Sequence, residues 1–306
     1  MISCEFLISQ NQPYNVPSRK KKEVKESPIF IPDFEAQLSF SYHTSSGFFD
    51  KNGKLVSDLP DTVSFPGVPR QYTFDLNRYT FDFDFKYFAT SDITLNARFP
   101  VTFYFLDEIF LEYLDIENQK RYMREYKERL SHTRIDYFGL TAMYSLSDSK
   151  FINKYFAEIR IPSGNHDGIR NDTRELWSDG ALEFLPGFLV GFATDKATVE
   201  IGAKYNYRGE DMTDRVMGNL NMALHTVPGT RFYGFVEACY NVTEGDDNYE
   251  FNIRQMPWQD EYLDAGVGFK FVVEQLYIGD FSYRIRIDGK NAWNHAAYFI
   301  NFGYRF

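Results

Sequence analysis

The stretch Tyr79-Thr80-Phe81-Asp82-Phe83-Asp84-Phe85-Lys86-Tyr87 constrains the fold more than any other part of the chain. Every odd position is aromatic and every even one polar or charged. A period of two separates into faces only in an extended strand, where successive side chains point to opposite sides. One face is then a ladder of rings, and the other carries two carboxylates and an ammonium. Turning that charged face to lipid would cost roughly 2–4 kcal/mol for the lysine near the midplane, somewhat less for each aspartate, which fixes the register.

The same alternation recurs over residues 34–44, 93–105, 134–146, 154–162, 182–193, 197–208, 216–226, 232–242, 262–273, 277–288 and 297–306. With 72–87 this predicts about 12 strands, and even numbers are the rule in bacterial single-chain barrels. No apolar run approaches the length of a transmembrane helix, so only a closed barrel could cross a bilayer. A soluble sandwich or barrel with the ring face turned inward would alternate identically. Two features favour the membrane. The connections alternate between short links, such as 89–92, 194–196 and 227–230, and long polar stretches at 45–71, 106–133, 163–181 and 243–261. The apolar face is also built from Phe and Tyr, the residues of interfacial girdles, and aromatic residues make up 18% of the chain.

The expected fold is therefore all-β: a transmembrane antiparallel up-and-down β-barrel over residues 34–306, with both termini periplasmic and the long loops outside. Residues 1–33 read as the remainder of a signal peptide cut short, a periplasmic segment, or both, because the start has no basic region and little apolar length. Ile116, Met123, Tyr126 and Leu130 stand at helical spacing, which predicts a helix near 116–130 in the second long loop.

Charge and composition remove several function classes. The net charge is −10 and the one basic run is Arg19 to Lys22, so no nucleic-acid partner is expected. There is no glycine-rich phosphate loop, Cys4 and Cys239 suggest no disulfide framework, and His132, His166, His225 and His295 lack metal-ligand spacing. No cofactor and no metal are expected. The acidic run Glu244 to Asn248 reads as a solvated loop.

If the rings face lipid, parity puts Asp82, Asp84, Lys86, Arg98, Glu158, Arg160, Glu200, Lys204, Glu237, Lys270, Asp280, Arg284 and Arg286 in the lumen as pore-lining residues on a substrate path. Asp136, Arg208, Asp264 and Arg305 share that face. Acids and bases nearly balance, and a bore of about 12 strands suits small solutes. His43 and Ser45 form a His-x-Ser pair like the dyad of outer-membrane phospholipases and deacylases, in which the imidazole activates the hydroxyl. Parity turns both inward, whereas those enzymes attack lipid from outside, so no catalytic residue is predicted.

The last strand ends Tyr304-Arg305-Phe306, and this aromatic-x-aromatic ending resembles the signal that the barrel-assembly machinery reads. Residues 87–95 leading to Phe99-Pro100, and Leu140 to Leu146 leading to Ile161-Pro162-Ser163-Gly164, resemble the outer-membrane transporter family "MetA-pathway of phenol degradation", distantly related to long-chain fatty-acid channels. The resemblance spans about half the chain. It departs at Ser163, where the family has Thr, and at Arg134 to Asp136, where it has glycines. It implies an outer-membrane channel or transporter for small compounds, hydrophobic or aromatic ones included, in contact with membrane lipid and lipopolysaccharide. The alternatives are a non-transporting barrel that anchors or binds a partner, and a lipid hydrolase using His43 and Ser45.

Overall fold

The structure is a computed structural model that describes residues 34–50, 52–56, 59–60, 70–116, 119–146, 150–163, 181–209, 213–243, 261–274, 276–290 and 292–306. Residues 1–33 and most of the segments 163–181 and 243–261 lie outside the described residues.

Fifteen strands are present in chain order: β1 (Phe34–Phe49), β2 (Leu55–Val56), β3 (Leu59–Pro60), β4 (Arg70–Phe88), β5 (Ile93–Ile116), β6 (Gln119–Ile135), β7 (Tyr137–Ser145), β8 (Phe151–Pro162), β9 (Glu183–Ala193), β10 (Ala197–Arg208), β11 (Arg215–Val227), β12 (Thr230–Asn241), β13 (Glu261–Val273), β14 (Tyr277–Lys290) and β15 (Ala292–Arg305). β2 and β3 are two-residue additions, and β6 pairs only with β5. The other twelve form one closed antiparallel barrel, with no helix among the described residues. β1 closes it by pairing with both β4 and β15, Phe40 lying between Phe81 and Ile300. Phe34 and Phe306 exchange backbone hydrogen bonds of 2.9 and 2.8 Å, so the last residue is tied to the first strand. Each of the twelve predicted strands coincides with one wall strand. The short links 89–92, 194–196 and 228–229 turn at the end that carries these two residues.

The predicted helix is overturned. Residue 116 ends β5, and residues 119–130 belong to β6, which runs back along β5. Helical spacing is a local signal, whereas the pairing partner lies across the hairpin. In the backbone register Glu112 stands opposite Arg124, Asp115 opposite Lys120 and Asp107 opposite Arg129, and Phe110 opposite Tyr126 and Tyr113 opposite Tyr122. Such pairs stabilise an antiparallel ladder. β1 loses contact with β4 at Ser45↔Leu76, but β4 continues along β5 to Arg70↔Glu112. The hairpin thus extends the wall past the barrel. At its base Asp136 interrupts the line from β6 to β7 while accepting a 2.6 Å hydrogen bond from Thr102.

The wall is inside out relative to a soluble protein. Its exposed residues include Phe81, Phe138, Leu140, Phe184, Phe188, Ile201, Phe232, Phe281, Phe302 and Phe306. Rings stack across strands, as Tyr42 on Tyr79 at 4.9 Å, Phe83 on Phe99 at 5.0 Å and Phe232 against Phe269 at 4.8 Å. The buried positions between them hold most of the charge.

Candidate functional site

Among the described residues, eleven Lys or Arg and nine Asp or Glu are buried, a surplus of two bases inside a chain whose net charge is −10. Ions held away from water require partners, and the interior supplies them strand by strand. Twelve of the thirteen predicted lining residues are buried, and Asp280 is partly so.

Near the end that carries Phe34 and Phe306, Glu35 receives Lys86 at 3.0 Å and Arg305 at 3.0 Å. Further along β4 and β5, Arg98 pairs with Asp82, and Asn96 donates to Asp84 at 3.3 Å. On β8, β9 and β10, Arg160 bridges Glu158 at 2.7 Å and Glu183 at 3.3 Å, and Glu183 lies 3.7 Å from Arg208. The Arg160 guanidinium also sits 4.8 Å above the Tyr137 ring.

The densest group joins β12, β13 and β14. Arg286 grips Asp264 with two hydrogen bonds, 2.8 and 3.2 Å, and donates to the Trp293 carbonyl at 3.1 Å. Its guanidinium lies 4.2 Å from the Tyr262 ring centre. Arg284 stacks on Phe235 and Phe299 at 5.1 and 5.3 Å, with Glu237 at 3.6 Å and Asp264 at 3.9 Å. The Tyr262 hydroxyl donates to Glu237 at 3.0 Å. Elsewhere Tyr233 donates to Asp280 at 2.6 Å and Asn221 to Glu200 at 3.4 Å, while Lys204 and Lys270 are buried in the same interior.

Sequence reasoning overlooked Glu35, Arg78, Lys154, Glu183 and Arg215, all buried. Parity carries Glu35, Arg78 and Lys154 as directly as it carries Asp82 or Glu158. Arg215 precedes the predicted edge of its strand. Glu183 shares its face with Leu185 and Leu189, so an apolar inward row hides it.

His43 and Ser45 both point inward but are not joined as a dyad. His43 Nε2 lies 2.9 Å from Arg78 and 3.2 Å from the Ser41 hydroxyl, whereas the Ser45 hydroxyl donates to the Gly47 carbonyl at 2.8 Å. Among the described residues no group of His, Cys, Asp and Glu has a metal-ligating arrangement. The arrangement offers a polar, salt-bridged interior enclosed by an apolar wall.

No protein-family model matches the chain, and no curated protein matches it significantly. Solved structures do. The COG4313 outer membrane channel from Pseudomonas putida F1 superposes with a TM-score of 0.60 at 12% identity, over 93% of this chain and 100% of that one. That likeness is one of fold. The KdgM porin gives a TM-score of 0.40 at 9% identity, covering 88% of this chain and 99% of its own. The P. putida toluene transporter TodX gives 0.39 at 8% identity, over 90% of each chain. Likenesses that low carry no argument here.

Proposed function

We propose that the chain is an outer-membrane channel through which small solutes pass along the charged interior. The observation that carries this reading is the inverted polarity: exposed rings on a closed wall, with paired acids and bases buried behind it. Lipid is the solvent in which such a wall loses nothing, and closure leaves no strand edge unpaired. The fold shared with the COG4313 channel supports it. In this reading the end holding Phe34 and Phe306 faces the periplasm, Tyr304 and Phe306 serve as the assembly signal, and the β5–β6 hairpin rises among the outer loops. Asp82, Asp84, Lys86, Arg98, Glu158, Arg160 and their partners border the path. The sequence resemblance to aromatic-degradation transporters supports hydrophobic or aromatic cargo.

Purified barrel reconstituted in planar bilayers tests the reading. It is expected to open discrete conductances, and vesicles carrying it to swell in small solutes faster than in larger ones. A bilayer that stays silent and vesicles that do not swell would make it a non-transporting barrel.

A further inference from the structure

β6 is an edge strand. It pairs with β5 on one side, and no described strand pairs with its other side. Its first part also lies past the barrel: β1 leaves β4 at Ser45↔Leu76, Leu76 stands opposite Leu106 of β5, and Leu106 opposite Leu130 of β6. Residues 119–129 therefore form an edge beyond the rim. A row of amides and carbonyls along such an edge is a template for a further strand.

One hydrogen bond sets the phase of that edge. The Asp136 amide donates to the Pro100 carbonyl at 3.0 Å, and the register runs unbroken from Val101↔Ile135 to Glu112↔Arg124. Backbone bonding alternates along an antiparallel strand, so Arg124, Tyr126 and Glu128 bond to β5, while Glu125 and Lys127 turn their amides and carbonyls to the other side. The sequence at this point is Arg124-Glu125-Tyr126-Lys127-Glu128, whose charges change sign when it is read backwards. Laid antiparallel to itself about Tyr126, it sets Glu125 opposite Lys127 of a second copy and Arg124 opposite Glu128 of the second copy, each pair occurring twice. Glu125 and Lys127 are then the hydrogen-bonded pairs, as the phase requires. A two-fold axis on Arg124, Glu125, Lys127 or Glu128 instead sets a like charge against itself. Opposite charges directly across a ladder stabilise it and like charges oppose it. Charged residues ordinarily keep edge strands apart, and in this order they admit one partner, the same edge.

We infer that β6 pairs with β6 of a second copy of this chain, antiparallel about Tyr126, which joins two barrels through one self-complementary interface. The paired strands run in opposite directions, so the barrels meet by the ends opposite Phe34 and Phe306. Under the channel reading those are the outer ends and the two copies stand in facing membranes, but the pairing itself does not rest on that reading. Sedimentation velocity of the detergent-solubilised barrel is expected to show a monomer–dimer equilibrium. Glu125→Lys and Lys127→Glu each turn two attractive pairs into two repulsive ones, and each is expected to weaken the dimer about tenfold or more. Mixed in equal amounts, the two variants are expected to dimerise again, because every facing pair is once more of opposite sign. A monomeric wild type, a dimer that survives either reversal, or a mixture as weak as its components overturns the inference. Cross-linking gives a second measurement. Tyr126→Cys in a Cys4→Ser chain is expected to form a disulfide between copies, because a non-hydrogen-bonded pair on the axis has its Cα atoms about 4.5 Å apart, within disulfide reach. Leu130→Cys in the same background lies far from its symmetry mate and is expected to stay uncrosslinked. Equal cross-linking of the two, or none at Tyr126→Cys, overturns the pairing.

Discussion

At the scale of single residues, the interior shows how a barrel wall tolerates charge. Arg286 makes both planar contacts to Asp264, stacks on Tyr262 and donates to a backbone carbonyl, so each of its three nitrogens donates a hydrogen bond. Removing one member of such a pair leaves the other charged and buried, a cost of about 3–5 kcal/mol, whereas replacing both with apolar groups of similar size is often close to neutral. Arg286→Met is therefore expected to lower folding stability by about 3 kcal/mol or more, and the double variant R286M/D264L to recover much of the loss. Reversible denaturant unfolding in lipid vesicles measures both. Equal losses in the single and double variants would show that the pair is not the source. Parity makes the inward position of these groups legible in the sequence, but not their partners. Arg286 and Asp264 stand 22 residues apart, and only the β13–β14 register, shifted between Leu263 and Asp264, brings them opposite.

At the scale of elements, the twelve wall strands are readable because the outer and inner faces of a closed wall impose opposite demands on alternate residues. The β5–β6 hairpin is not, and the reason is physical. Past Ser45↔Leu76 the wall leaves the barrel, and Ile109-Phe110-Leu111 and Tyr113-Leu114 run on without alternation. Where the sequence lacks a period of two, a few apolar residues fall at helical spacing. The signal that identifies the hairpin is cross-strand complementarity, as at Asp107↔Arg129. There Arg129 donates to Asp107 at 2.5 and 2.8 Å, and this hydrogen bonding holds the carboxyl below the usual carboxylate range. A lowered carboxyl pKa stabilises the paired state above the unfolded value of about 3.9, and the contribution fades as pH falls through the folded one. In a carbon-13 NMR titration, the Asp107 carboxyl is expected to titrate below that value, and Arg129→Ala to return it. A midpoint at the ordinary value in the wild type would mean that the two strands do not pair in solution.

At the scale of the whole molecule, the same alternating strands could close a soluble barrel, and what separates the two is which medium the exposed face meets. Leu220 tests this, because it sits midway along β11, is 38% exposed, and has Ile201 and Val236 as its cross-strand partners, both also exposed. In water, an exposed Leu→Arg change away from special contacts shifts stability by about 0.5 kcal/mol or less. At the centre of a bilayer, an arginine on the lipid face costs about 2–4 kcal/mol, falling towards zero near the interfaces. Leu220→Arg is thus expected to destabilise the barrel by about 2–4 kcal/mol in vesicles, and Val227→Arg, at the strand end, by about 1 kcal/mol or less. The gradient between the two positions carries the test, since a general intolerance of arginine on a packed apolar surface would not depend on depth. Unfolding in vesicles of both variants beside the wild type measures it. A Leu220→Arg barrel as stable as the wild type would place this ladder of rings in water, and with it the charged interior in a soluble protein.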